Sequence, residues 1–153
     1  MSAICLIDTT IFLEILDVPR KATRHEYVIL ELQRKMEDEE TLFLPMATIL
    51  ETGNHIAQNG DGRQRRACAL NFVSQVQDAL NGRSPFKPIS FLEKEHLQEW
   101  LSEFPDYAVQ ETSLGDLSII HDFARFCRQS PRREIYIWSQ DGHLSSFRQQ
   151  ARY

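Results

Sequence analysis

The sequence is poor in the features that would assign it to a specialised class. Its 153 residues include only six prolines and six glycines and no low-complexity tract, which excludes collagen-like and disordered compositions. Three cysteines, Cys5, Cys68 and Cys127, are odd in number, far apart and set among apolar residues. They read as reduced core thiols, not as a disulfide frame or zinc site. The histidines form no HExxH or comparable ligand spacing. No run is long and charge-free enough to span a bilayer. No Lys or Arg precedes residue 20, and Asp8 and Glu14 interrupt the first apolar stretch, so the start of the chain does not read as a targeting signal. The expectation is a cytoplasmic protein. There is no basic excess either: 17 Lys and Arg face 22 Asp and Glu, for a net charge of −5. That argues against a wholly basic nucleic-acid binder but leaves room for a local basic strip.

What the chain does have is 42% apolar residues, enough for one domain over 1–153 with a real core. "AICLI" reads as a short strand and "TTIFLEIL" as a helix; "RHEYVILELQRKMEDEE" is an amphipathic helix, and "TLFLP" a second strand stopped by Pro45. Helices follow over "TILETGNHIAQ" and over 63–80, separated by the turn "NGDG". "PFKPI" holds a brief third strand that its prolines confine to an edge. "FLEKEHLQEWLSEF" predicts a helix ending before Pro105, "LGDLSIIHDFARFCRQ" a strongly apolar helix, "EIYIW" a last strand, and "QDGHLSSF" a turn into a frayed tail. Strands alternating with helices predict a parallel sheet covered by helices on both faces.

The acids near the strand ends need a reason, since a buried carboxylate is costly without a partner. In a parallel sheet the carboxyl ends of the strands share one edge, where ligands sit. Asp8 follows the first strand and Asp141 the last. Each has an ordinary explanation as well, helix capping for Asp8 and turn chemistry for Asp141. "TILE" (48–51) and "SLGD" (113–116) match the capping-box pattern, which would account for Glu51 and Asp116 without any chemistry. "SFLE" (90–93) matches it equally, so spacing leaves Glu51 tied with Glu93. Asp116 heads the buried stripe of Ile119, Ile120 and Phe123 and is less easily dismissed. Converging carboxylates would need a cation, because two of them about 4 Å apart repel by about 4 kcal/mol at an effective dielectric near 20. Oxygen-only donors favour Mg²⁺ or Mn²⁺ over Zn²⁺.

"CLIDTTIFLEIL", "LPMATILETGNHI", "LGDLSIIHDFA" and "IYIWSQDGHLSSF", in that order, resemble the PIN-domain nucleases, including the VapC-type toxins of toxin–antitoxin pairs. The resemblance implies a three-layer α/β/α sandwich with a central parallel sheet. It also implies a Mg²⁺- or Mn²⁺-dependent endoribonuclease whose acids fall on Asp8, Glu51, Asp116 and Asp141, as catalytic residues and metal ligands. In the pattern Asn often stands where this chain has Thr10, and Thr where it has Ser139; both hydroxyls are expected to support the acids. The implied partners are an RNA substrate, a small antitoxin over a groove beside the first two helices, and a second copy of the chain. Two arginine clusters, Arg63, Arg65 and Arg66, then Arg125, Arg128, Arg132 and Arg133, are candidate phosphate contacts, with solvated helix ends as the ordinary reading. The competing readings are a PIN-like module without catalysis and a haloacid-dehalogenase-type phosphatase. The latter needs a second acid at position 10, where Thr10 stands.

Overall fold

The computed structural model describes residues 1–89 and 93–153. Its elements alternate as the hydrophobic pattern predicts: β1 (Ile4–Ile7), α1 (Thr9–Ile15), α2 (His25–Glu37), β2 (Thr41–Leu44), α3 (Met46–Ala57), α4 (Gly62–Leu80), β3 (Phe86–Pro88), α5 (Lys94–Val109), α6 (Leu114–Gln129), β4 (Ile135–Trp138) and β5 (Arg148–Gln149). The strand order is β3-β2-β1-β4-β5. β1 pairs in parallel with both β2 and β4, and β3 lies parallel on β2. Pro88 sits in the edge strand, where its missing N–H breaks no ladder.

β1 is buried along its whole length, and its side chains alternate between two cores. Cys5 and Ile7 join Phe12, Leu32, Ile56 and Val76 on the face covered by α1, α2, α3 and α4. Ile4 and Leu6 join Ile119, Ile120, Ile135 and Ile137 under α6. The result is an α/β/α sandwich. Burial of Cys5 pushes its thiol up to about 12, which makes it an inert core residue.

Three expectations need correction. The "TILE" box does not cap a helix, because α3 already begins at Met46 behind Pro45. Thr48 instead turns inward, its Oγ1 donating to the Ile7 carbonyl at 2.7 Å. Nor does α5 stop before Pro105; it runs to Val109. Pro105 and Leu101 are both exposed, so the carbonyl that loses its helical partner can take water. The tail is not frayed at 148–149. β5 pairs antiparallel with β4, and Gln149 Nε2 donates to the Ser130 and Arg133 carbonyls at 3.0 and 2.8 Å. The sheet is therefore mixed, with a parallel centre. Ser90 of the "SFLE" pattern lies outside the described residues; Glu93 is exposed at the start of α5. Among the described residues no helix is long and apolar enough to cross a membrane.

Candidate metal centre at the carboxyl edge of the sheet

Asp8 follows β1 directly and is the N-cap of α1. Its backbone continues the ladder, N–H to the Trp138 carbonyl at 3.0 Å, and its side chain is buried. Capping accounts for only part of that carboxylate. Oδ2 accepts from Thr10 N at 3.4 Å, Thr10 Oγ1 at 2.9 Å and Ser139 Oγ at 2.8 Å. Among the described residues nothing donates to Oδ1.

Thr10 and Ser139 also tie the end of β4 to the end of β1. Thr10 Oγ1 accepts from Gln140 N and Ser139 Oγ from Asp141 N, each at 2.9 Å. The register sets Ser139 opposite Asp8, and Asp141 follows two residues later with its amide tied to Ser139. Its Oδ1 accepts the His143 and Leu144 amides at 2.7 and 3.3 Å, the turn role its "QDG" context predicts, and Oδ2 takes no bond among the described residues.

Glu51 lies in the second turn of α3, which Thr48 pins to the end of β1. Its Oε2 accepts from Thr9 Oγ1 at 2.9 Å. Its Oε1 faces Gly115, where any Cβ would collide with it. Gly115 thus leaves room for the Glu51 carboxylate against the first turn of α6, where a side chain would push it aside. Asp116 is the next residue, and its amide donates to Ser113 Oγ at 3.0 Å, so Ser113 caps the helix as its sequence predicts.

Electrostatics reports that the acids share one region. Asp116 is pushed up to about 6, chiefly by desolvation and then by the charges of Asp8, Glu51 and Asp141. Glu51 is raised as well, by desolvation and by Asp8, against the lowering effects of Thr9 and His55. Excess negative charge of this kind is what a cation relieves. The donors are nonetheless loosely arranged: among the described residues no three of their oxygens fall within 4.8 Å of one another. Mg²⁺ accommodates such a set, since it keeps several waters and takes few protein ligands directly.

The group that does meet this spacing was not found from sequence. Glu99, Glu103 and His121 bring three donor atoms within 4.8 Å. His121 Nε2 lies 2.5 Å from Glu103 Oε2, and Nδ1 lies 4.0 Å from Glu99 Oε1. The two glutamates are one helical turn apart on α5 and the histidine is on α6, so only the packing of those helices joins them. The trio could hold a metal, and the hydrogen bond between His121 and Glu103 also ties the two helices together.

The arginines are not gathered at the acidic edge. Arg133 donates to the Ser2 carbonyl at 2.9 Å and lies 3.4 Å from Thr41 Oγ1, at the end where β1 and β2 begin. Arg132 adjoins it, and Arg128 lies in the last turn of α6, about 18 Å along the helix from Asp116. Arg63, Arg65 and Arg66 open α4, past the end of α3 that points away from the strand edge; Arg65 bonds the Gly60 carbonyl. Arg125 pairs with Asp122 at 3.0 Å and lines a cavity that Glu51 also lines.

Thr9, Thr48 and Gly115 hold the acids, and sequence reasoning did not single them out. A threonine beside Asp8 was the available signal for Thr9; nothing marked Gly115 apart from its place before Asp116.

No protein-family model matches the sequence, and no curated protein matches it. Among solved structures, the crystal structure of FitAcB from Neisseria gonorrhoeae is similar in fold. It has a TM-score of 0.55 at 16% identity, covering 90% of this chain and 87% of that chain. At that identity the likeness speaks to the fold alone: this chain shares with that structure an α/β/α architecture around a sheet with a parallel centre.

Proposed function

We propose that this protein is a Mg²⁺- or Mn²⁺-dependent endoribonuclease that hydrolyses RNA phosphodiester bonds, with Asp8, Glu51, Asp116 and Asp141 holding the ion. The reading is supported by the contacts that link the four acid-bearing segments at the carboxyl edge of the sheet: Thr9 donates to Glu51, Glu51 lies against Gly115 beside Asp116, and Ser139 bonds both the Asp8 carboxylate and the Asp141 amide. Their chemistry fits a hard cation. Asp8 and Asp141 each have one oxygen fixed by protein donors and one that takes no bond among the described residues, and no sulfur or imidazole is required. When bound, such an ion sets positive charge against the phosphate oxygens and acidifies a water.

The chain's own contribution is orientation. Thr10 and Ser139 fix the Asp8 carboxylate through Oδ2, and Ser139 holds the Asp141 backbone beside it. Thr9 fixes Glu51, which we assign to orienting the attacking water; desolvation makes its carboxylate a readier proton acceptor than an exposed glutamate. Of the arginines, Arg63, Arg66, Arg128 and Arg132 are exposed and are the phosphate contacts this reading retains, so RNA binding should weaken with salt.

The resemblance to VapC-type proteins extends the proposal to a cytoplasmic toxin of a type II pair, able to pair with itself. A small antitoxin would cover the surface beside α1 and α2. There Tyr27 and Leu30 are 53% and 65% exposed, apolar area of the kind a partner buries.

The test is purified protein with a mixed RNA pool in Mg²⁺, Mn²⁺ or chelator, with Asp116→Asn as control. Cleavage that needs the metal and is lost in the variant is the expected result. Equal cleavage in chelator or in Asp116→Asn would overturn the assignment. Absence of Mn²⁺ binding would favour a non-catalytic PIN-like module instead.

A further inference from the structure

Beside the acidic edge, between α3, α5 and α6, lies a cavity of about 270 Å³. It is continuous with the candidate centre, because Glu51 and Gly115 form part of its wall. Leu50, Leu97 and Trp100 give it an apolar and aromatic lining, and Asp122 and Arg125 add a polar element. Asp122 is mostly buried, with its side chain 12% exposed. Its Oδ1 takes Arg125 Nη2 at 3.0 Å, and among the described residues nothing donates to Oδ2.

We propose that this cavity is a base-specificity subsite: it receives one unstacked base of single-stranded RNA, next to the phosphate held at the acidic edge, with the ring against Trp100 and its polar edge on Asp122 and Arg125. The proposal rests on the ribonuclease reading and adds to it the residues that choose the base.

Three observations select this occupant. The first is charge. Glu51 and Asp122 line the cavity together with His96 and Arg125, and Arg125 is already paired with Asp122, so no unpaired arginine or lysine among its described lining residues awaits a phosphate; a neutral ring fits better than an anion. The second is polarity. An apolar side chain from a partner protein would cover Asp122 and leave it desolvated with one oxygen unsatisfied, which is costly, whereas a base offers N–H donors along its edge. The third is size. The volume lies at the lower limit for small-ligand pockets and suits one base better than two. Single-stranded RNA is commonly read this way, by splaying a base onto an aromatic side chain and bonding its edge.

The experiment uses Trp100 as reporter in Trp138→Phe protein, titrated in chelator with single-stranded RNA hexamers of each of the four bases. One hexamer is expected to quench Trp100 and to bind at least tenfold more tightly than the weakest. That preference should disappear in Asp122→Ala, with Leu97→Phe as a second variant that fills the cavity; circular dichroism checks the fold of each. With Mn²⁺ and mixed RNA, Asp122→Asn should redistribute the cleavage positions. Equal affinity for all four hexamers, or binding that leaves Trp100 unchanged, overturns the subsite. A concentration-dependent dimer that shields Trp100 from a soluble quencher, with no hexamer effect, also overturns it and gives the face to a second copy. The two readings fail separately. Base-selective quenching without any metal-dependent cleavage sinks the nuclease alone, and metal-dependent cleavage with an unresponsive Trp100 sinks the subsite alone.

Discussion

Asp8 and Glu14 stand at opposite ends of one short helix, both buried among apolar residues, and the protein treats them in different ways. Glu14 is fully enclosed, and each of its oxygens is used: Oε1 accepts from Thr23 N and Oε2 from Arg24 N, both at 2.8 Å. It closes the connection between α1 and α2 and satisfies amides at the start of α2, where Arg24 offers no side-chain cap of its own. Among the described residues, Asp8 receives its three bonds on one oxygen only. A carboxylate kept for stability has all its acceptors occupied by the fold. One kept for a ligand is aimed by the fold and left half free. The same contrast sets Asp141, with one oxygen on its own turn, beside Asp8.

This difference can be broken by experiment, and the largest effect expected is on activity. Asp8→Asn should lower metal-dependent RNA cleavage by on the order of a hundredfold or more, while chemical denaturation changes by less than about 1 kcal/mol. Glu14→Gln should do the reverse. It places an NH₂ against a backbone donor at a fully buried site and should cost about 2–3 kcal/mol in urea unfolding, with cleavage by the remaining folded protein unchanged. If Asp8→Asn proved as destabilising as Glu14→Gln, the distinction between the two acids would be lost.

Mn²⁺ sharpens the same point. A ligand that binds only the folded state raises stability by mass action, by about 2.7 kcal/mol at a hundred times its Kd. The wild type and Glu14→Gln should both gain melting temperature on adding Mn²⁺, and Asp116→Asn should gain little. A gain retained in Asp116→Asn but removed by His121→Ala would assign the ion to Glu99, Glu103 and His121 instead.

Asp122 gives a smaller effect that depends on pH. Its folded pKa of about 6 lies above the ordinary 3.8, mainly through desolvation. The folded state therefore holds a proton that the unfolded state releases, so the penalty is absent below pH 4, grows through pH 6 and is complete above it. Asp122→Asn should stabilise the protein by about 1–2 kcal/mol at pH 8 and by nothing near pH 4, read from thermal melts across that range. The smallest effect expected is at Thr52, whose buried Oγ1 has no hydrogen-bond partner among the described residues. Thr52→Val should be neutral or gain up to about 1 kcal/mol in urea unfolding.

Much of the architecture was legible because helical and strand periods are local properties. β1, β2, β4 and α6 follow from apolar runs of the right length, and Pro88 announced an edge strand. Local chemistry misled where a neighbour supplied what the sequence lacked. Thr48 reads as a cap but bonds the Ile7 carbonyl across 41 residues. Pro105 reads as a helix end, yet its exposed position lets the helix continue. The tail lacks any strand signal at 148–149 and becomes one because β4 offers an open edge. Glu51 and Glu93 are equivalent in pattern and differ in place: Glu51 is half-buried between Thr9 and Gly115, and Glu93 is exposed.

Sequence alone determined the alternation of elements and the position of acids just after two strands, since both depend on residue type and near-neighbour spacing. Only tertiary structure decided which oxygens of those acids stay free, that Gly115 admits Glu51, and that Trp100 and Asp122 share a cavity with it. Those facts depend on contacts between segments tens of residues apart, and such contacts exist only once the cores on both faces of the sheet have closed.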